Sequence, residues 1–294
     1  MDQSGSAALN ADQITYWNGR GGEHWTRRLE LNDAILNPIA TAVLDRACVE
    51  PGERVADIGC GCGGSTLELA ARAGSMGRVL GIDVSVPMLE RARERANAMS
   101  GASQTRALAK MEFVCADATV QAFERGQTDV LFSRFGVMFF DDPVRAFTNM
   151  KTALRPGGRL VFVCWRAPAL NSWLMMPFET VRGLVPPQPK TKPDDPGPFA
   201  FASQERVTRI LSEAGFTQVA LEPLDFTLDL ATGRGLDAAV ETAMEMGPTG
   251  RALAGQPPEV LAAVAAKLRD TFAPLQTGPS VMLGAAVWIV VAQA

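Results

Sequence analysis

The 294-residue chain is 47% hydrophobic, enough to bury the core of one large domain or of a domain carrying a substantial insertion. Its net charge of −4, without a run of like charge, excludes a general polyanion binder, because nucleic-acid affinity rests on Lys and Arg contacts to phosphates. Residues 1–13 are small and polar, and the apolar stretch from Val281 to Ala292 is shorter than the roughly 20 residues a membrane-spanning helix needs. The expectation is a cytoplasmic protein with no membrane insertion and no nucleic-acid partner.

About 50 residues containing Tyr16, Trp17 and Trp25 precede the first strand signal, Arg54–Ile58. A glycine-rich turn follows, and Ser65–Ala73 reads as a helix closed by Gly74. Arg78–Ile82 is the next strand. Ser85 offers an N-cap and Pro87 suits the first turn of a helix whose apolar face carries Met88, Leu89, Ala92 and Ala96, while Arg91, Arg93 and Arg95 form a solvated face. Met111–Cys115 and Asp129–Ser133 are two more strands. Asp142-Pro143 starts a helix, Pro156-Gly157-Gly158 is a sharp stop, and Arg159–Cys164 is a fifth strand. This alternation predicts an α/β fold, a doubly wound and mostly parallel sheet with helices on both faces.

The alternation breaks at residues 166–202, where prolines concentrate, clearest in Pro186–Pro189 and Pro193–Pro198. Ser203–Ala214 resumes as a helix, Thr217–Leu221 and Asp225–Leu230 read as two strands, and helices over 235–246 and 258–273 precede a final strand, 283–292. The stretches 166–202 and 231–280 are expected to be lid or pocket insertions in a domain spanning 51–294. The five cysteines include no Cys-x-x-Cys pair, and His24 is the lone histidine, so no metal site is expected.

The most informative stretch is Val55-Ala56-Asp57-Ile58-Gly59-Cys60-Gly61-Cys62-Gly63-Gly64. Strand, tight glycine turn and helix N-terminus in that order hold nucleotide-like ligands in α/β sheets. Gly59, Gly61 and Gly64 also satisfy G-x-G-x-x-G, and Asp83 ends the next strand, so a nicotinamide dinucleotide fold competes. Three observations favour another ligand: the carboxylate of Asp57 before the loop, suited to an ammonium group; Asp117-Ala118 after the third strand, suited to an adenine edge; and the aromatic segment ahead of the first strand.

These residues resemble the class I S-adenosylmethionine-dependent methyltransferases, in their small-molecule, ubiquinone/menaquinone-methyltransferase-like branch. Val55–Gly64 looks like the family's first motif, Gly81-Ile82-Asp83-Val84 its second, Asp117-Ala118 its adenine motif, Asp129–Arg134 the strand facing the transferred methyl, and Leu154–Gly158 the turn before the fifth strand. The resemblance implies a Rossmann-like, seven-stranded sheet, S-adenosyl-L-methionine as cofactor, and an N-terminal helical cap over its site from residues 1–50. It implies cofactor contacts from Trp25, Asp57, Gly59, Cys60, Gly61, Asp83, Val84, Met88, Asp117, Ala118, Ser133 and Arg134. A relative that binds the cofactor without transferring methyl, as catalyst of another reaction or as sensor, fits the same motifs.

For the acceptor, Tyr16, Trp17, Phe135, Trp165 and Trp173 are candidate contacts, and aromatic side chains suit an apolar planar molecule. Asn171, Met175 and Met176 share the segment after the fifth strand. His24 and Tyr16 are candidate bases for an acceptor that must lose a proton. DNA- and protein-directed relatives often carry an Asn/Asp-Pro-Pro-Tyr/Phe motif after the fourth strand. Ser133-Arg134-Phe135-Gly136 departs from it, which points to a small-molecule acceptor; the protein is expected to be a monomer or homodimer.

Overall fold

The computed structural model describes residues 10–102, 107–188 and 192–294. Most of residues 1–13 and part of the Pro186–Pro189 run therefore lie outside the described residues. Helices α1 (Ala11–Asn18), α2 (Arg20–Arg27) and α3 (Leu29–Ala47) come first. Strands β1 (Arg54–Ile58), β2 (Arg78–Asp83), β3 (Lys110–Cys115), β4 (Thr128–Arg134) and β5 (Leu154–Trp165) then alternate with helices α4 (Gly64–Ala73), α5 (Val86–Ala102) and α6 (Pro143–Lys151). Helices α7 (Ser172–Val181) and α8 (Gln204–Glu213) lead to β6 (Thr217–Asp229); α9 (Leu236–Glu245), α10 (Gly247–Leu253) and α11 (Pro258–Phe272) lead to the short β7 (Gln276–Thr277) and the long β8 (Ser280–Gln293).

The sheet runs β3-β2-β1-β4-β5-β8-β6, with β7 folded back on β8. The first five strands pair in parallel, and β8 is antiparallel to both its neighbours. Consecutive β5 residues Val161, Phe162, Val163 and Cys164 are all fully buried. Neighbours along a strand face opposite sides, so both faces of the sheet are covered, which is why these strands read as unbroken apolar runs. Each fully buried aromatic such as Phe132, Phe147 or Phe162 contributes about 1.5–3 kcal/mol over exposure.

Three expectations change. Pro156-Gly157-Gly158 does not stop the chain before the fifth strand: β5 begins at Leu154 and bulges, its register with β4 jumping between Thr128 and Val130. Thr217–Leu221 and Asp225–Leu230 form a single edge strand, β6, which tolerates Pro223 because an edge strand need not donate on its outer side. Helix α3 packs on β4, β5, β6 and α4, so within residues 1–50 the cap proper is α1 and α2.

The chain order reverses between β1 and β4, where open α/β sheets form their ligand crevice at the carboxyl ends of the strands. Gly59, at φ 66°, and Gly136 meet there. A Cβ on Gly59 would lie 2.7 Å from Gly136 Cα, and one on Gly136 2.6 Å from the Ile58 carbonyl oxygen. Only glycines let the two loop backbones approach so closely.

Candidate active site

The loop after β1 is tied down through backbone bonds. The amides of Gly59 and Cys60 both donate to the Ile82 carbonyl, at 2.8 and 3.1 Å. Asp83 then staples the loop to the next helix: Gly61 N donates to Oδ2 at 2.8 Å and Ser85 N to Oδ1 at 2.9 Å. Burial raises the Asp83 carboxyl from its usual range, opposed by these backbone donors.

Asp57 is fully buried beneath the loop. Its Oδ2 accepts the hydroxyls of Ser65 (2.8 Å) and Thr66 (2.6 Å) from the first turn of α4. Its Oδ1 has no partner among the described residues. Desolvation pushes its pKa up to about 6, against the two hydroxyls and the Arg134 charge. Ser133 bridges the two loops, donating to the Ile58 carbonyl at 2.7 Å and accepting from Gly136 N at 3.1 Å. Cys60 is buried, and its thiol is raised by desolvation first and the nearby carboxylates second.

Beyond the strand ends opens a cavity of ≈ 730 Å³. Of the residues expected to hold cofactor, Trp25, Gly59, Asp83, Val84, Met88 and Ala118 line it, as do Asp117 and Arg134. Asp57, Cys60, Gly61 and Ser133 do not; they build its floor from behind. Arg134 pairs with Asp33 at 3.3 Å, and Asp33 also pairs with Arg95 at 3.1 Å.

The α1–α2 cap closes one side. Ser85 Oγ donates to the Trp17 carbonyl at 2.6 Å, and Asn18 bonds the Val84 carbonyl (2.8 Å) and Val86 N (3.0 Å). A Cβ on Gly22 would sit 2.1 Å from the Trp17 carbonyl oxygen, so the tight α1–α2 turn requires glycine. Trp17 and Trp25 pack with Leu29, Cys62 and Met88 in a small cluster apart from the main core.

Asn10 is the residue that sequence reasoning missed. In a left-handed conformation before α1, it makes no helix-capping bond. Its Nδ2 instead donates to Asp117 Oδ2 (2.8 Å) and Thr119 Oγ1 (3.0 Å), its Oδ1 accepts from Asp141 N (2.8 Å), and its own N donates to Asp141 Oδ2 (2.5 Å). Asparagine tolerates the left-handed region, and that was its one local signal.

The candidate acceptor residues Tyr16, Trp17, Phe135, Trp165 and Trp173 all line the same cavity. Phe135 and Trp165 stack at 4.2 Å with planes 9° apart, and Trp173 tilts against Trp165 at 5.0 Å. Buried Asn171 sets α7, and hence Trp173, by bonding Ala286 of β8 through both ends of its amide. Asn171, Met175 and Met176 are not in the cavity wall. Phe135 holds φ 63°, a strain on the order of 1–3 kcal/mol for a bulky residue.

Helices α9 and α10, inside the 231–280 stretch expected as a lid or pocket insertion, close the far side with Glu241, Met244, Glu245, Met246 and Arg251, none of which the sequence singles out. Arg28 links the N-terminal helices to α9 through Glu245 at 2.9 Å, a pairing between segments too far apart for sequence to reveal. His24 faces the cavity. Burial holds its pKa below the usual value, with Arg28, Arg27 and Arg20 acting in the same direction and Glu245 opposing.

A doubly wound sheet, glycines at its switch point, acids at the ends of β2 and β3 and an aromatic pocket beside them define a nucleotide-cofactor-binding fold. The sequence profile described as "Methyltransferase domain" matches residues 56–162. Those residues carry a methyltransferase domain of the class I S-adenosylmethionine-dependent kind.

Among curated relatives, the chain is 33% identical over 128 residues to "Aklanonic acid methyltransferase DauC" of Streptomyces sp. (strain C5), covering 44% of this chain and 55% of that protein. It is 30% identical to "Nocamycin O-methyltransferase" of Saccharothrix syringae over 193 residues, 63% of this chain and 66% of that one. It is 27% identical to "Phosphoethanolamine N-methyltransferase 1" of Arabidopsis thaliana over 180 residues, 61% of this chain and 32% of that one. The matches thus span about half of the first relative and a third of the last. Among solved structures, the YcgJ protein of Bacillus subtilis superposes with a TM-score of 0.55 at 15% identity, covering 86% of this chain and 97% of that one, a likeness of fold.

Proposed function

We propose that this protein transfers the methyl group of S-adenosyl-L-methionine to an oxygen, carbon or nitrogen of a small, largely apolar metabolite such as a quinone, phenol or polyketide-like ring, in the cytoplasm. The observation that carries this reading is a single cavity running from Asp83 and Asp117 to the wall of Phe135, Trp165 and Trp173. The residues present fit the cofactor. The Gly59 and Gly136 backbones leave an approach that a Cβ would fill, and Asp57 keeps one buried carboxyl oxygen without a partner among the described residues.

In this reading Asp83 receives the ribose hydroxyls through charge-assisted bonds, about twice as strong as neutral ones. Asp117 and Ala118 meet the adenine. The negative charge of Asp57 complements an ammonium group through the loop, and the N-terminus of α4 favours a carboxylate by roughly 0.3–1 kcal/mol. When bound, the cofactor supplies an electrophilic methyl on a positively charged sulfur. The chain's part is to hold the acceptor in line with that methyl and to exclude water, with the α1–α2 cap and helices α9–α10 closing over the cavity.

Where the acceptor is a hydroxyl, His24 takes its proton. A lowered pKa keeps the imidazole neutral, the form with a free lone pair, near pH 7. Tyr16 is the weaker candidate base, since it is 41% exposed.

Calorimetric titration with S-adenosylhomocysteine tests the cofactor half. Binding by wild type that Asp83→Ala weakens about 100-fold is expected; no binding by wild type sinks the reading. Release of S-adenosylhomocysteine from S-adenosylmethionine only when an acceptor is present tests transfer. Acceptor conversion without that product would instead favour a cofactor-bound catalyst of another reaction.

A further inference from the structure

Phe135 carries two observations that the cofactor motifs do not explain. Its backbone is left-handed, a conformation that bulky L residues rarely adopt. Its ring lies parallel to Trp165 at 4.2 Å, and Trp165 in turn rests on Trp173. The two tryptophans are buried, whereas Phe135 is only half buried and lines the cavity. Trp165 covers one face of the phenyl ring, so its remaining open area belongs to the cavity side. An apolar pocket for a flexible chain needs no such wall: leucine or methionine would supply the area without a braced, flat surface. Strain retained at a ligand-facing residue is a sign of function.

We infer that Phe135 sets the shape of the acceptor, selecting a planar aromatic ring over a flexible apolar chain by stacking it on a ladder continued by Trp165 and Trp173. The inference rests on the methyltransferase reading above and adds to it the residue that selects a ring-shaped acceptor. Aromatic rings gain from offset stacking beyond the area they bury, and a rigid platform loses little side-chain freedom when a flat partner arrives. A flexible chain gains the area but not the stacking, and its own freedom is lost on binding. The neighbours of Phe135 fix where a stacked ring sits. Gly136 touches Gly59, and Arg134 lines the same cavity, so the platform stands at the seam between the glycine loop and the acceptor space.

The test uses the full chain loaded with S-adenosylhomocysteine. Two probes are titrated, planar 1,2-dihydroxyanthraquinone and flexible geraniol, and the ratio of their Kd values is read for wild type, Phe135→Leu and Phe135→Gly. Wild type is expected to favour the planar probe at least tenfold, and both variants to erase that preference. Glycine suits the left-handed backbone, so Phe135→Gly keeps the test open should Phe135→Leu fold poorly. Equal binding of the two probes by wild type, or a preference that survives in the variants, overturns the inference while leaving the methyltransferase reading intact. Failure of wild type to bind S-adenosylhomocysteine overturns both.

Discussion

The two halves of the cavity, proposed for the cofactor and for the acceptor, are built by opposite means. On the cofactor side, polar groups are already engaged by the chain itself: Asp83 by the amides of Gly61 and Ser85, and Asp117 by Thr119 and Asn10. On the acceptor side the wall is aromatic, held by stacking and by the setting of α7 on β8. A ligand shared by many relatives can be met by backbone and carboxylates fixed at strand ends, whereas an acceptor particular to one enzyme is met by side chains from segments free to vary.

Four outcomes would break or sharpen that contrast. The largest effect belongs to the seam itself. Gly136→Ala places a Cβ 2.6 Å from the Ile58 carbonyl, and overpacking against backbone should cost about 3 kcal/mol of stability, read by urea unfolding. A variant as stable as wild type would mean the two loops are not rigidly opposed.

Next, Asp83→Ala should weaken S-adenosylhomocysteine about 100-fold, since it removes a charged acceptor and frees the Gly61 amide. An equal loss in binding a planar acceptor probe would contradict the separation of the halves.

Asp57 supplies the third, through pH. Its pKa of about 6 lies above the unfolded value near 3.9, so the folded state holds this proton more tightly. The stabilisation is fully present below about pH 4 and is lost as pH rises through about 6. The stability difference between Asp57→Asn and wild type should therefore shift in favour of the variant across that window, by on the order of 3 kcal/mol. A difference flat with pH would show that burial does not raise the carboxyl's pKa.

The smallest effect is at the latch. Asn10→Ala should cost about 1 kcal/mol of stability and speed release of S-adenosylhomocysteine, measured by stopped flow. Unchanged release would leave the α1–α2 cap fixed by Trp17 and Asn18 alone.

The same contrast decided what the sequence could disclose. Asp57, Gly59, Asp83 and Asp117 stand at the ends of consecutive strands, so their spacing carries the cofactor motifs, and the parallel core reads as apolar runs between turns. Phe135 just after β4, Trp165 at the end of β5 and Trp173 in α7 were legible as aromatic residues in suitable places, but not as a stack. Helices α7 and α10 escaped because Pro177 inside one and the Gly247-Pro248 opening of the other resemble loop signals. The partnership of Arg28 with Glu245, and of Asn10 with Asp117 and Asp141, depends on folding distant segments together, for which local sequence has no periodicity. Residues 217–221 and 225–230 read as two strands, and sequence alone does not say that the one strand running through Pro223 lies at an edge.

The place of β8 in the sheet has a kinetic consequence. It lies between β5 and β6, and β6 pairs with nothing else in the sheet. During synthesis the parallel half from β3 to β5 can assemble early. The long edge of β5 and the whole of β6 then wait with open hydrogen-bonding groups until residues 280–293 are made. An unpaired apolar edge is a template for association with other chains. Slow translation or truncation near β8 should therefore raise aggregation far more than loss of an equal length from the cap, even though the substrate cavity lies largely elsewhere.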